Sequence, residues 1–210
     1  MTSSLRPTLL RPVACGLLAL SAMQAITAHA WSLNLAAASR RVFLHVGNGT
    51  AEAANGTINL VQVTVPAAQL GTGAVQAMTS NSTQSASLYG DGFTTCPTPA
   101  TQMMVGASYR RSNATDGPAS ATLSVTSPAN LTTAAADTIP FSQISWTVSA
   151  PGSANPNVIP AGTFTGGTQT LASVPANTYI ENCHTYQYAN SAVRAAGTYN
   201  GRVTYTLSSP

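Results

Sequence analysis

Apolar residues fall on every second position in short runs along most of this chain. Val42, Leu44 and Val46 do so, as do Ala121, Leu123 and Val125, and then Ile144, Trp146 and Val148. A period of two is that of a strand with one face against a core. Met103 to Tyr109 is a further apolar strand candidate. Ile58 and Leu60 share one phase while Val61, Val63 and Val65 take the other. Such a slip predicts a bulge or a strand that changes sheet. Turn chemistry separates the runs at Asn48-Gly49, Asn55-Gly56, Gly90-Asp91-Gly92 and Asp116-Gly117-Pro118. Phe164 and Leu171 flank Gly166-Gly167, which predicts a hairpin, while Thr79 to Ser87 and Pro151 to Pro160 read as loops. No segment shows a sustained 3.6-residue apolar period. Roughly nine or ten short strands at turn-punctuated spacing predict an all-β antiparallel sandwich.

The pattern is cleanest at the end of the chain. Tyr199, Gly201, Val203, Tyr205 and Leu207 share one parity, with polar residues between the last of them. Asn200-Gly201 taken alone is a strong hairpin signal. A two-residue hairpin there would remove Tyr199 from the face that carries Val203, so register favours one uninterrupted strand. Gly201 is then a thin spot where a backbone or a large side chain can approach.

Composition narrows the classes. Charged residues make up 6% of the 210, and all eight basic residues are arginines. Arg6 and Arg11 precede an apolar run from Val13 to Ile26 and the small-x-small site Ala28-His29-Ala30. This predicts a secretory signal over residues 1–30, cleaved before Trp31, and a single domain over 31–210 with an N-terminal extension at 31–39. No later segment is apolar enough to expect stable membrane insertion. Cleavage leaves six arginines against five acids, so a basic surface for nucleic acid is not expected.

Cys15 goes with the leader, and Cys96 and Cys183 remain. In an oxidising compartment an even pair is most simply one disulfide, the alternative being unpaired or intermolecular thiols. Glu181, Cys183 and His184 sit together, but strand neighbours point to opposite faces, so a Cys–His catalytic pair is not expected. Glu52, Asp91, Asp116, Asp137 and Glu181 are scattered, mostly in turn contexts, and no metal or cofactor is expected. Arg40-Arg41 and Arg110-Arg111 read chiefly as solvated strand ends, with an anionic surface as the functional alternative. Asn-x-Ser/Thr sequons start at Asn48, Asn55, Asn81, Asn113 and Asn130.

The terminal Ala-Gly-Thr-Tyr-x-Gly-x-Val-Thr-Tyr-Thr-Leu run resembles the last strand of secreted bacterial pilin-type subunits, in particular the spore-coat-U and archaic chaperone–usher group. Gly197, Tyr199, Val203, Tyr205 and Leu207 match that pattern; Ser209 departs from it where many pilins carry an aromatic residue. The resemblance implies an immunoglobulin-like sandwich that lacks its final strand and accepts one from a neighbour. Trp31, Leu33, Leu35 and Ala37 are then the donor segment. It also implies copies of the chain as partners, a periplasmic chaperone, an outer-membrane usher and a cell-surface location. The expected function is a non-enzymatic subunit of a surface fibre or coat. The alternative is a monomeric secreted module or adhesin that binds carbohydrate or protein; Tyr179, Tyr186 and Tyr188 would serve it as an exposed aromatic cluster, although core-and-edge positions are the more ordinary reading of those tyrosines.

Overall fold

The computed structural model describes residues 31–48, 58–89, 93–149 and 159–209. The expected leader, the Asn55-Gly56 and Gly90-Asp91-Gly92 turns, Glu52 and most of the Pro151 to Pro160 connection lie outside these residues.

The strands are β1 (Trp31–Asn34), β2 (Arg41–Val46), β3 (Val61–Gln62), β4 (Gln76–Ala77), β5 (Thr79–Ser80), β6 (Met103–Arg110) and β7 (Ser120–Thr126). They continue with β8 (Asn130–Thr132), β9 (Thr138–Pro140), β10 (Ile144–Val148), β11 (Gly162–Thr163), β12 (Thr168–Pro175), β13 (Thr178–Tyr188) and β14 (Thr204–Ser208). Helix among the described residues is confined to three short 3-10 turns. The expected all-β class is therefore observed.

β13 holds the first sheet together. The order is β11-β10-β13-β6-β2, all antiparallel, with β1 and β4 also paired to β13. Its length explains the number of partners. Thr178 to Cys183 pairs with β6 while Thr178 to Glu181 pairs with β1, and His184 to Tyr188 then pairs with β10. The second sheet is β12-β7-β14, with β7 in the centre. Ala121, Leu123 and Val125 of β7 point inward and are essentially fully buried, as their spacing predicts. They meet Val105, Ala107, Tyr109, Ile180 and Trp146 of the first sheet in one shared core.

The phase slip at residue 61 is real. Ile58 and Leu60 are exposed, whereas Val61, Val63 and Val65 are half-buried against the core. The Gly166-Gly167 hairpin is not formed. β11 before it joins β10 in the first sheet, and β12 after it joins β7 in the second. The turn instead carries the chain between layers. Gly166, at φ +73°, lies so close to Ala129 that an added Cβ would sit 2.9 Å from its Cα. At the next crossing, Asn177 takes φ +58°. Its amide donates to the Tyr109 carbonyl at 2.7 Å, and its side-chain oxygen accepts from the Arg111 amide at 3.0 Å.

Candidate functional site

β14 is an edge strand. Its inner edge pairs with β7 from Thr204↔Thr126 to Ser208↔Thr122. Among the described residues no strand pairs with its outer edge. Val203, Tyr205 and Leu207 face the core, yet each is only half-buried, while Thr204, Thr206 and Ser208 are exposed. The predicted alternation thus holds from 203 onward.

The strand is shorter than its sequence pattern predicts. Asn200 leaves β7 and bridges to Thr132, with amide-to-carbonyl bonds of 2.9 Å in both directions. Backbone pairing with a different partner at Asn200 breaks the run that Tyr199 to Leu207 was expected to form. Gly201 sits at the break, and an added Cβ would lie 2.5 Å from the Phe141 ring and 2.7 Å from a Leu131 methyl. The close approach expected at Gly201 therefore occurs, made by side chains of the same chain. Tyr199 is half-buried, and its hydroxyl donates to the Ala195 carbonyl at 2.9 Å. Gly197 is exposed near Thr133.

Two contacts anchor β14 and were not legible in the sequence. The Tyr205 and Tyr186 hydroxyls bond at 2.8 Å across the space between the sheets. Burial pushes Tyr186 up to about 12 against the pull of that bond, and raises Tyr205 well above the usual tyrosine value with the help of its neighbour. Just beyond the strand, Arg40 donates to the Ser209 carbonyl at 2.7 Å and to its hydroxyl at 3.2 Å. Both pairs join residues far apart in sequence, where no local pattern points to a partner.

The expected donor segment lies elsewhere. β1 pairs with its own β13, Trp31↔Glu181 through Asn34↔Thr178, and the Leu35 amide donates to the Asn177 carbonyl at 2.8 Å. Leu33 and Ala37 are exposed and Leu35 is half-buried. The donor candidates and the terminal strand are thus in different sheets of one molecule and are not brought together.

The outer face of β13 is covered as well. The Cys96–Cys183 disulfide forms as expected, closing a separation of 87 residues, and both cysteines are buried with Met104. Glu181, fully buried, accepts a bond from Ser87 Oγ at 3.1 Å and others from the Thr95 and Tyr179 hydroxyls. Burial first, and then the adjacent Glu181 charge, hold the Tyr179 hydroxyl well above its ordinary pKa. His184 points to the other face, as the strand period requires, and stacks on Trp146 with ring centroids 6.1 Å apart. Among the described residues neither of its ring nitrogens has a hydrogen-bond partner, and burial drives its pKa from 6.5 to about 3. Cys183 and His184 therefore do not face one another. Tyr179, Tyr186 and Tyr188 are all buried, so they form core rather than an exposed aromatic patch.

No helix among the described residues is long and apolar enough to cross a membrane. Comparison with protein-family models, with curated proteins and with solved structures finds no match.

Proposed function

We propose that this chain is a structural subunit of a secreted bacterial surface fibre or coat, and that copies assemble by strand exchange. The observation that carries the reading is the edge of β14. A constant-type immunoglobulin sandwich orders its strands A-B-E-D in one sheet and C-F-G in the other. Taken as strands A to F, β2, β6, β13 and β10 follow the first order, and β7 with β14 follows the start of the second. The place of strand G, beside β14, is taken by no described strand. Val203, Tyr205 and Leu207 are half-exposed where such a strand would cover them. An added strand would bring main-chain hydrogen bonds along the edge and side chains into the pockets between these residues.

In this reading the Trp31 to Ala37 segment leaves β13 and completes the second sheet of a neighbouring copy. A periplasmic chaperone and an outer-membrane usher are the partners that such an assembly uses. The pairing of β1 with its own β13 favours a second reading, a monomeric secreted module that binds carbohydrate or protein. Surface extracts run on a denaturing gel, with and without boiling, separate the two. Strand-exchanged copies give a ladder that collapses on heating and is absent when residues 31–38 are deleted. A single monomer band under both conditions, with the deletion variant still folded, overturns the fibre reading.

A further inference from the structure

Four of the eight arginines, Arg40, Arg41, Arg110 and Arg111, meet at one end of the first sheet. The β2–β6 register places Arg41 directly opposite Arg110. Leu44 and Val46 on β2, and Val105, Ala107 and Tyr109 on β6, face the core. By the strand period Arg41 and Arg110 therefore share the outward face. Like charges directly opposite one another destabilise a sheet.

The flanking arginines have acceptors. Arg40 reaches Ser209, and Arg111 donates to the Ala114 carbonyl at 3.2 Å and the Gly117 carbonyl at 2.8 Å. Asp116 serves the same two: hydrogen bonds from Ser112 hold its carboxyl below the usual range, and the charges of Arg40 and Arg111 add to the effect. The central pair has no such partner. Among the described residues, no acceptor bonds the guanidinium of Arg41 or Arg110, and Arg110 Nε is shut away from solvent with no partner. A buried charged donor left unpaired is unfavourable, and each native example calls for an explanation such as a bound ion. Here the like-charge pair and the orphaned donor fall on the same two residues. A local rule broken without internal compensation is a mark of a binding site.

The ligand follows from the geometry of the donors. One guanidinium fork satisfies both oxygens of a carboxylate, whereas a phosphate group has further oxygens and up to two negative charges, enough to bridge two adjacent forks. We infer that Arg41 and Arg110 form a binding site for a phosphate group, either the free ion or a phosphate displayed on an anionic lipid surface. Arg41 is exposed and Arg110 half-buried, so the site opens at the surface.

The test titrates the full chain with inorganic phosphate against chloride at matched ionic strength. It also sediments the chain with phosphatidylglycerol or phosphatidylcholine vesicles. Wild type, the Arg41→Gln/Arg110→Gln double variant and an Arg194→Gln/Arg202→Gln control, which removes the same charge elsewhere, are compared. The expected result is binding that weakens at least tenfold in the double variant and is kept by the control. Binding of phosphate in solution identifies the free ion, and binding only to phosphatidylglycerol vesicles identifies the headgroup. Without phosphate, Arg41→Gln alone melts at or above the wild-type temperature, because it relieves the like-charge pair, and its melting point no longer rises when phosphate is added. Failure of wild type to bind either probe, or equal loss in the control, overturns the inference.

Discussion

β13 and β14 carry similar alternation and are treated by the fold in opposite ways. Inward-facing tyrosines occur in both, Tyr186 and Tyr188 in one and Tyr205 in the other. β13 is buried on both faces over most of its length, whereas β14 is half-buried on one face and exposed on the other. The difference lies in what covers each strand. β13 has paired neighbours on both edges and a second layer over its outer face, fastened by Cys96 and by the Ser87 and Thr95 bonds to Glu181. Among the described residues β14 pairs with one strand, β7. Polarity alone does not identify the buried strand: Glu181, Asn182 and His184 are all fully buried on β13, while the apolar Leu207 is not.

The largest expected effect is on the cover of β13. Replacing Cys96 and Cys183 by Ser together releases a closed loop of 87 residues, and the chain-entropy model assigns such a loop about 4.6 kcal/mol. Urea unfolding of the non-reduced protein and the double variant measures it. A loss below about 1 kcal/mol would show that the hydroxyl bonds to Glu181 hold the cover unaided.

Acid probes the inner face of β13. His184 stays neutral in the fold down to about pH 3, but in the unfolded chain it protonates below pH 6.5. The unfolded state therefore binds more protons as pH falls, and stability declines through the window from 6.5 to about 3. By pH 5 the loss from this residue is about 2 kcal/mol. His184→Phe removes that slope, and urea midpoints at pH 7 and pH 5 for both proteins check it.

Tyr205→Phe tests the hydroxyl bond to Tyr186 that ties β14 across the core. It leaves the buried Tyr186 hydroxyl without its partner, at a loss of about 1–2 kcal/mol. The Tyr186→Phe/Tyr205→Phe double variant is expected to lose less than the sum of the two singles, since no orphan remains. The smallest effect belongs to the outer face of β14. Thr206→Lys is expected to change stability by no more than about 0.5 kcal/mol. If thermal melts show Thr206→Lys to be as damaging as Tyr205→Phe, the outer face of β14 is covered rather than exposed.

Much of this contrast was legible beforehand, and the remainder had identifiable reasons for being hidden. The parity of Val203, Tyr205 and Leu207 survived into the fold because alternation is a property of the strand backbone. The end of that strand did not follow from parity, since Asn200 pairs with Thr132 on another element. Gly166-Gly167 carried an ordinary turn signal, but a turn signal cannot say whether the two flanking strands join one sheet or two. The opposite facing of Cys183 and His184 was readable from their adjacency alone. Of the hydroxyls that donate to Glu181, Tyr179 is local, but Ser87 and Thr95 lie 94 and 86 positions earlier.

The sequence by itself determined the all-β class, the inward parity of the principal strands, the closeness required at Gly201 and the pairing of the two cysteines left after the expected leader. These rest on local backbone geometry and on chemistry with only one partner available. The tertiary structure alone decided that β13 is covered on both faces, that β1 lies on β13, that β14 begins at Thr204, and that Arg41 faces Arg110. Each of these depends on which distant segments share an edge or a face, and the entropy of closing long loops is overcome only by the packing of the whole core.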